Sequence, residues 1–158
     1  MSAENEHLTG GPDGPVNDAL LAGQGALAEE QILRLKSLFG DRLYIELQRH
    51  GTPVERQTEQ GLIDLAYKLE VPLVATNEPY FAKADDYAAH DALICIAEGE
   101  VLITEDRRRL TPEHYFKSQQ EMAALFADIP EAVENTIEIA MRCAYRVKSR
   151  APILPRFA

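Results

Sequence analysis

No stretch of this 158-residue chain approaches the ~20 consecutive apolar residues that a membrane-spanning helix needs, and Met1 to His7 carry no basic cluster ahead of an apolar run. Both absences point to a cytoplasmic protein with no signal peptide and no membrane partner. Cysteine is scarce: Cys95 and Cys143 form no CxxC pair and read as reduced thiols that pack rather than react. Positive charge is scarce too. Sixteen Lys and Arg against 26 Asp and Glu leave a net charge of −10, which argues against a broad grip on a phosphate backbone. The one basic run, Arg107-Arg108-Arg109 after Glu105-Asp106, reads either as a salt-bridged loop or as a local phosphate contact. There is no GxGxxG and no GxxxxGK[ST]. The four histidines show no HxH or HxxxH spacing, and no Ser-His-Asp order stands out.

What is present is the composition of an ordinary globular domain, 46% hydrophobic and 27% charged. Gly10-Gly11-Pro12-Asp13-Gly14-Pro15 is a turn-rich opening, followed by a helix over Pro15 to Ala22 that Gly23 stops. Ala28, Ile32, Leu35 and Phe39 lie on one helical face, and Gly40 ends that helix. Leu43 to Gln48 alternates as a strand does. Thr52-Pro53-Val54-Glu55 is a capping box with proline at the first helical position, and Leu62, Leu65, Ala66 and Leu69 form the buried stripe behind it. Val71 to Thr76 is a second strand, with Pro72 tolerated near its start.

A helix from about Asp85 to Glu98 is expected to bury Ala89, Leu93, Ile96 and Ala97. Thr111-Pro112-Glu113 should open a short helix, and Ser118 to Glu121 is another capping box. From Pro130 a longer helix is expected to present Val133, Ile137, Ala140, Met141 and Ala144 on one face.

The β-α-β-α order implies an α/β fold with few parallel strands and right-handed crossovers among many helices. Two parallel strands cannot cover both their faces, so the chain reads as part of a larger α/β barrel. Gln48-Arg49-His50 and Thr76-Asn77-Glu78 then share one rim, where sites are built. His50, Asn77 and Glu78 are the rim candidates. A His and a carboxylate there suit metal ligation or acid–base work, and equally a hydrogen-bonded turn. His90 is expected to be satisfied at a helix–rim junction, and Glu46 to be a paired interior carboxylate.

Leu8-Thr9-Gly10-Gly11, Leu43 to Gly51, Val74-Ala75-Thr76-Asn77 and Ala89 to Ile96 occur in this order. Lys117-Ser118, Glu121-Met122, Leu125-Phe126, Pro130-Glu131-Ala132, Asn135-Thr136 and Leu154-Pro155-Arg156-Phe157 follow them. This series resembles the second half of the PHP (polymerase and histidinol phosphatase) domain of bacterial replicative DNA polymerases of the polymerase III alpha-subunit type.

The resemblance implies a partial, distorted (β/α)7 barrel holding the later strands. It divides the chain into a tail at 1–7 that is disordered or vector-derived, a half-domain at 8–150, and an extended exit at 151–158 toward the polymerase palm. It places a metal-ligating cysteine at Gly11, an aspartate at Glu78 and a histidine at Tyr80. All three differ here, so the expectation is a segment with no metal, no cofactor and no catalytic residue of its own.

The parent would be a DNA-directed DNA polymerase, a nucleotidyltransferase using Mg2+ in a palm elsewhere. The segment would brace the rest of that alpha subunit and dock the proofreading exonuclease (epsilon) subunit, with DNA reached through the parent enzyme. A metal-dependent phosphoesterase or 3′–5′ exonuclease is the alternative. A bare sheet edge would favour self-association.

Overall fold

The computed structural model describes residues 6–149. The exit expected at 151–158, and residues 1–5 of the expected tail, lie outside the described residues. Strand β1 (His7–Leu8) nevertheless begins inside that tail, with the His7 ring stacked on Phe39. In chain order follow helices α1 (Pro15–Leu21) and α2 (Gly25–Phe39), strand β2 (Leu43–Leu47), helix α3 (Pro53–Leu69) and strand β3 (Leu73–Ala75). Helices α4 (Tyr87–Glu98), α5 (Gln119–Leu125) and α6 (Pro130–Arg142) complete the described fold.

The three strands form a parallel sheet in the order β1-β2-β3, with Leu8 opposite Tyr44 and Ile45 opposite Leu73. The result is α/β, as the alternating segments imply, with one more strand than the sequence pattern shows. A two-residue strand leaves no periodicity to read.

All five residues of β2 are buried. It is the central strand, so Tyr44 and Glu46 face into protein as fully as Leu43, Ile45 and Leu47. The core gathers Val16, Ile32, Leu43, Ile45, Leu47, Leu62, Leu73, Phe126 and Ala132 from both helical layers and the sheet. The first half of the chain enters it as its stripes predict: Ala28 and Ile32 from α2, and Leu62, Leu65 and Ala66 from α3. The α3 capping box is formed, with Thr52 Oγ1 accepting from the Glu55 amide and Glu55 accepting from the Thr52 amide.

Three expectations are corrected in the second half. Helix α4 buries Ile94 and Cys95, while Leu93 and Ile96 are 61% and 77% exposed. Its inner side is drawn in by a bidentate ion pair from Arg107 to Asp91, both contacts 2.6 Å. Helix α6 turns Ala132 and Asn135 toward β3, with Asn135 Nδ2 donating to the Leu73 carbonyl at 2.8 Å, and leaves Ile137 and Met141 outside. Thr111-Pro112-Glu113 makes a turn rather than a helix, because the chain there extends into a bridge between Tyr115 and Phe81.

Candidate functional site

The site lies at the carboxyl ends of β2 and β3, where the chain leaves the sheet at Gln48-Arg49-His50 and Thr76-Asn77-Glu78. His50 is 2% exposed and central. Its Nδ1 lies 2.9 Å from Glu55 Oε1, and the other Glu55 oxygen accepts from the His50 and Thr52 amides. The Glu78 amide lies 3.4 Å from His50 Nε2. Asn77 Oδ1 lies 3.3 Å from the same Nε2, and Asn77 Nδ2 donates to the Tyr115 carbonyl. The structure thus brings His50, Asn77 and Glu78 together.

Two residues outside the rim candidates complete the arrangement. The His114 ring stacks on His50, centroids 4.0 Å apart and 13° from parallel. Thr111 Oγ1 donates to the His50 carbonyl at 2.7 Å, fastening the 111–115 loop over the rim. Glu55 was visible only as a capping residue. That it also holds His50 follows from the turn at Gly51, whose φ of 75° folds the chain back on the helix start.

Burial pushes the Glu55 carboxyl up, but the hydrogen bonds from His50 and Thr52 outweigh it and hold the group below the ordinary carboxylate range. Burial, with the neighbouring His50 adding to it, lowers His114 from its ordinary 6.5. Below pH 6.5 the unfolded chain therefore binds a proton that the folded chain refuses. This contribution is complete above pH 6.5 and fades as the pH falls through the folded value. The Glu55 contribution is present above its ordinary 4.5 and is lost at more acid pH. Urea midpoints of the wild type are expected to fall between about pH 7.5 and 5.5, and those of His114→Gln to fall less. Equal slopes in both proteins would refute the assignment.

The three positions where the resemblance places metal ligands do not fit a metal. Gly11 has no ligating side chain and a φ of 59°, and a Cβ there would meet the Gln48 amide nitrogen at 3.1 Å. The Glu78 carboxylate accepts the Tyr80 hydroxyl at 2.7 Å. That bond, with burial added, holds the phenol above its usual range and therefore protonated. Among the described residues, no group of three or more His, Cys, Asp or Glu is placed to hold a metal ion.

Between these residues lies an open pocket of about 290 Å3, lined by Gln48, Thr52, Glu78, Tyr80, Arg108 and His114 among others. Within the basic run, Arg107 is consumed by Asp91, and Arg109 donates to the Thr104 carbonyl at 2.7 Å. Glu46 is a buried, partnered carboxylate, and the partners are an amide and a hydroxyl. It accepts from Gln48 Nε2 at 3.1 Å and Thr76 Oγ1 at 2.5 Å. His90 is not satisfied: its buried Nδ1 finds no hydrogen-bond partner among the described residues, and the ring sits against Tyr80 and Phe81. Cys95 is buried and Cys143 exposed, both free.

No helix among the described residues is long and apolar enough to cross a membrane. No protein-family model matches the chain. Individual relatives do. The chain is 53% identical over 150 residues to DNA polymerase III subunit alpha of Caulobacter vibrioides, covering 95% of this chain and 13% of that protein. It is 42% identical over 146 residues to the subunit of the same name in Rickettsia bellii, covering 92% and 12%. To that of Escherichia coli it is 40% identical over 151 residues, covering 95% and 13%. The chain thus spans only 12% to 13% of the length of these relatives.

Proposed function

This chain is homologous to one segment of the DNA polymerase III alpha subunits, and from that premise we propose that it is a metal-free scaffold within a cytoplasmic replicative polymerase. Its three-stranded sheet belongs to a partial PHP barrel. That barrel braces the polymerase and offers a dock to the proofreading exonuclease subunit. Primer extension, and the Mg2+ it needs, reside in the rest of the parent chain, and DNA is held there rather than by this segment of net charge −10.

One observation carries this reading. The side chains on the rim are satisfied by one another instead of converging on a shared point, His50 with Glu55 and Tyr80 with Glu78. A hydrolytic metal centre needs several free ligands aimed at one position. Here Gly11, Glu78 and Tyr80 cannot supply their share.

The test uses the full-length alpha subunit, purified without chelators and free of the proofreading subunit. Elemental analysis is expected to find substoichiometric zinc and manganese, and added manganese should elicit no 3′–5′ exonuclease activity. One equivalent of tightly bound metal with manganese-dependent nuclease would replace the scaffold reading with the phosphoesterase one.

A further inference from the structure

Asn17 of α1 is 2% exposed, and only half of its amide is engaged. Its Nδ2 donates to Thr58 Oγ1 at 2.9 Å. The Thr58 hydroxyl donates its own proton to the Val54 carbonyl, so towards Asn17 it can only accept. That fixes which way the amide is turned. The buried Oδ1 then has no hydrogen-bond partner among the described residues. A buried acceptor left in that state is costly, and folded proteins rarely keep one without a partner.

Asn17 lines a cavity of about 10 Å3, whose wall also holds Glu46, Gln48, Glu55, Thr58 and Glu59. Three of these are already engaged. Both Glu55 oxygens serve His50 and Thr52, both Glu59 oxygens serve Arg49, and the Thr58 hydroxyl serves Asn17 and Val54. Glu46 differs: it accepts from Gln48 and Thr76 on Oε1, which leaves Oε2 for a further donor. Gln48 turns its Nε2 to Glu46, so its Oε1 is an acceptor as well. Acceptors cannot satisfy one another. Whatever joins them must donate hydrogen bonds and fit the space of a single water, about 10–15 Å3. A hard cation is set aside by number, because it takes about six oxygens or more.

We propose that this cavity is the binding site of one resident water, which donates to Asn17 Oδ1 and to the Glu46 carboxylate. Two donors on one small molecule match two buried acceptors on different elements. The water ties α1 to the central strand, while Nδ2 of the same amide ties α1 to α3 through Thr58. Glu46 in turn holds Gln48 and Thr76, at the carboxyl ends of β2 and β3. The rim is thereby linked to α1 through a single exchangeable molecule.

A crystal structure of the full-length alpha subunit, from crystals soaked in a thallium(I) salt, tests the site without any substitution. One density peak is expected about 2.8 Å from Asn17 Oδ1, with no anomalous signal from thallium. A cavity without density overturns the proposal, and a thallium signal in it replaces the water by a monovalent cation. Two variants of the same full-length protein test the tie. Thr58→Val removes the direct bond and keeps the Asn17 amide, whereas Asn17→Leu removes the amide altogether. Amide exchange in α1 is expected to be about tenfold faster in Asn17→Leu than in Thr58→Val, the size of one further hydrogen bond lost. Equal rates overturn the water as a tie even where its peak is present. If Asn17→Leu does not fold, the density and its anomalous signal decide alone.

Discussion

Replacing His50 by alanine is expected to cost about 3 kcal/mol, the largest loss for any single rim residue. The side chains of His50 and Glu55 are 2% and 4% exposed, so the pair lives out of water. Breaking a buried pair from one side is expensive because the charge left behind keeps its desolvation penalty without its partner. Glu55 would retain the amides of residue 50 and Thr52 and lose the ring. His114 would lose its stacking face, and Thr111 would still hold a carbonyl whose side chain no longer anchors the turn. Urea denaturation of the chain, followed by far-ultraviolet circular dichroism, should show a lower midpoint with an unchanged slope. A loss below about 1 kcal/mol would mean that the pair is not a buried unit, since that is an average effect for any substitution.

Arg49→Lys is expected to cost about 2 kcal/mol although it keeps the charge. The guanidinium holds Glu59 through Nε and Nη2 at 2.9 and 2.8 Å. It also holds Asp128 through Nη1 and Nη2 at 2.6 and 2.8 Å, and the Leu125 carbonyl at 2.6 Å. It lies over the fully buried Phe126 ring, 4.5 Å from the centroid. These hydrogen bonds raise the Arg49 pKa, so the charge is permanent. A lysine can offer a charge but not a planar fork with five donors. Asp128 is 61% exposed, which limits its share of the effect.

The contacts join the exit of β2 to α3 and to the turn between α5 and α6. Amide exchange should therefore accelerate in α5 and α6 before it does in α2 or β2. Uniform acceleration across the chain would refute this local role.

Much of the first half was legible because its signals are local. A capping box with proline at the first helical position fixes the start of α3 from four residues. Ala28, Ile32, Leu35 and Phe39 share one face of α2, and that face is the one packed on the core. The errors in α4 and α6 share one cause. Periodicity shows which residues lie on a common face, but not which face meets the sheet.

On α6 the small Ala132 and the hydrogen-bonding Asn135 win, since they let the helix lie close to β3 while bulkier Ile137 and Met141 remain outside. On α4, Asp91 is drawn inward by Arg107, sixteen residues away along the chain, and no short-range pattern could announce that. The rim positions His50, Asn77 and Glu78 were visible because strand ends are. His114 was not, because its place depends on a loop that only tertiary contacts define.

The bond from Asn135 to Leu73 also gives the sheet a direction of growth. Ile45 takes the Pro72 carbonyl and Leu47 receives the Thr76 amide, so the Leu73 carbonyl points to the opposite edge of β3. A side-chain amide already occupies that acceptor, and any strand arriving there must first evict it. Asn135 therefore acts as a stopper against templated pairing, of the kind that keeps edges from recruiting neighbouring chains. At the other end, β1 pairs only with β2 among the described residues. The two margins of the sheet therefore differ, because on β3 a helix side chain already holds the outward acceptor.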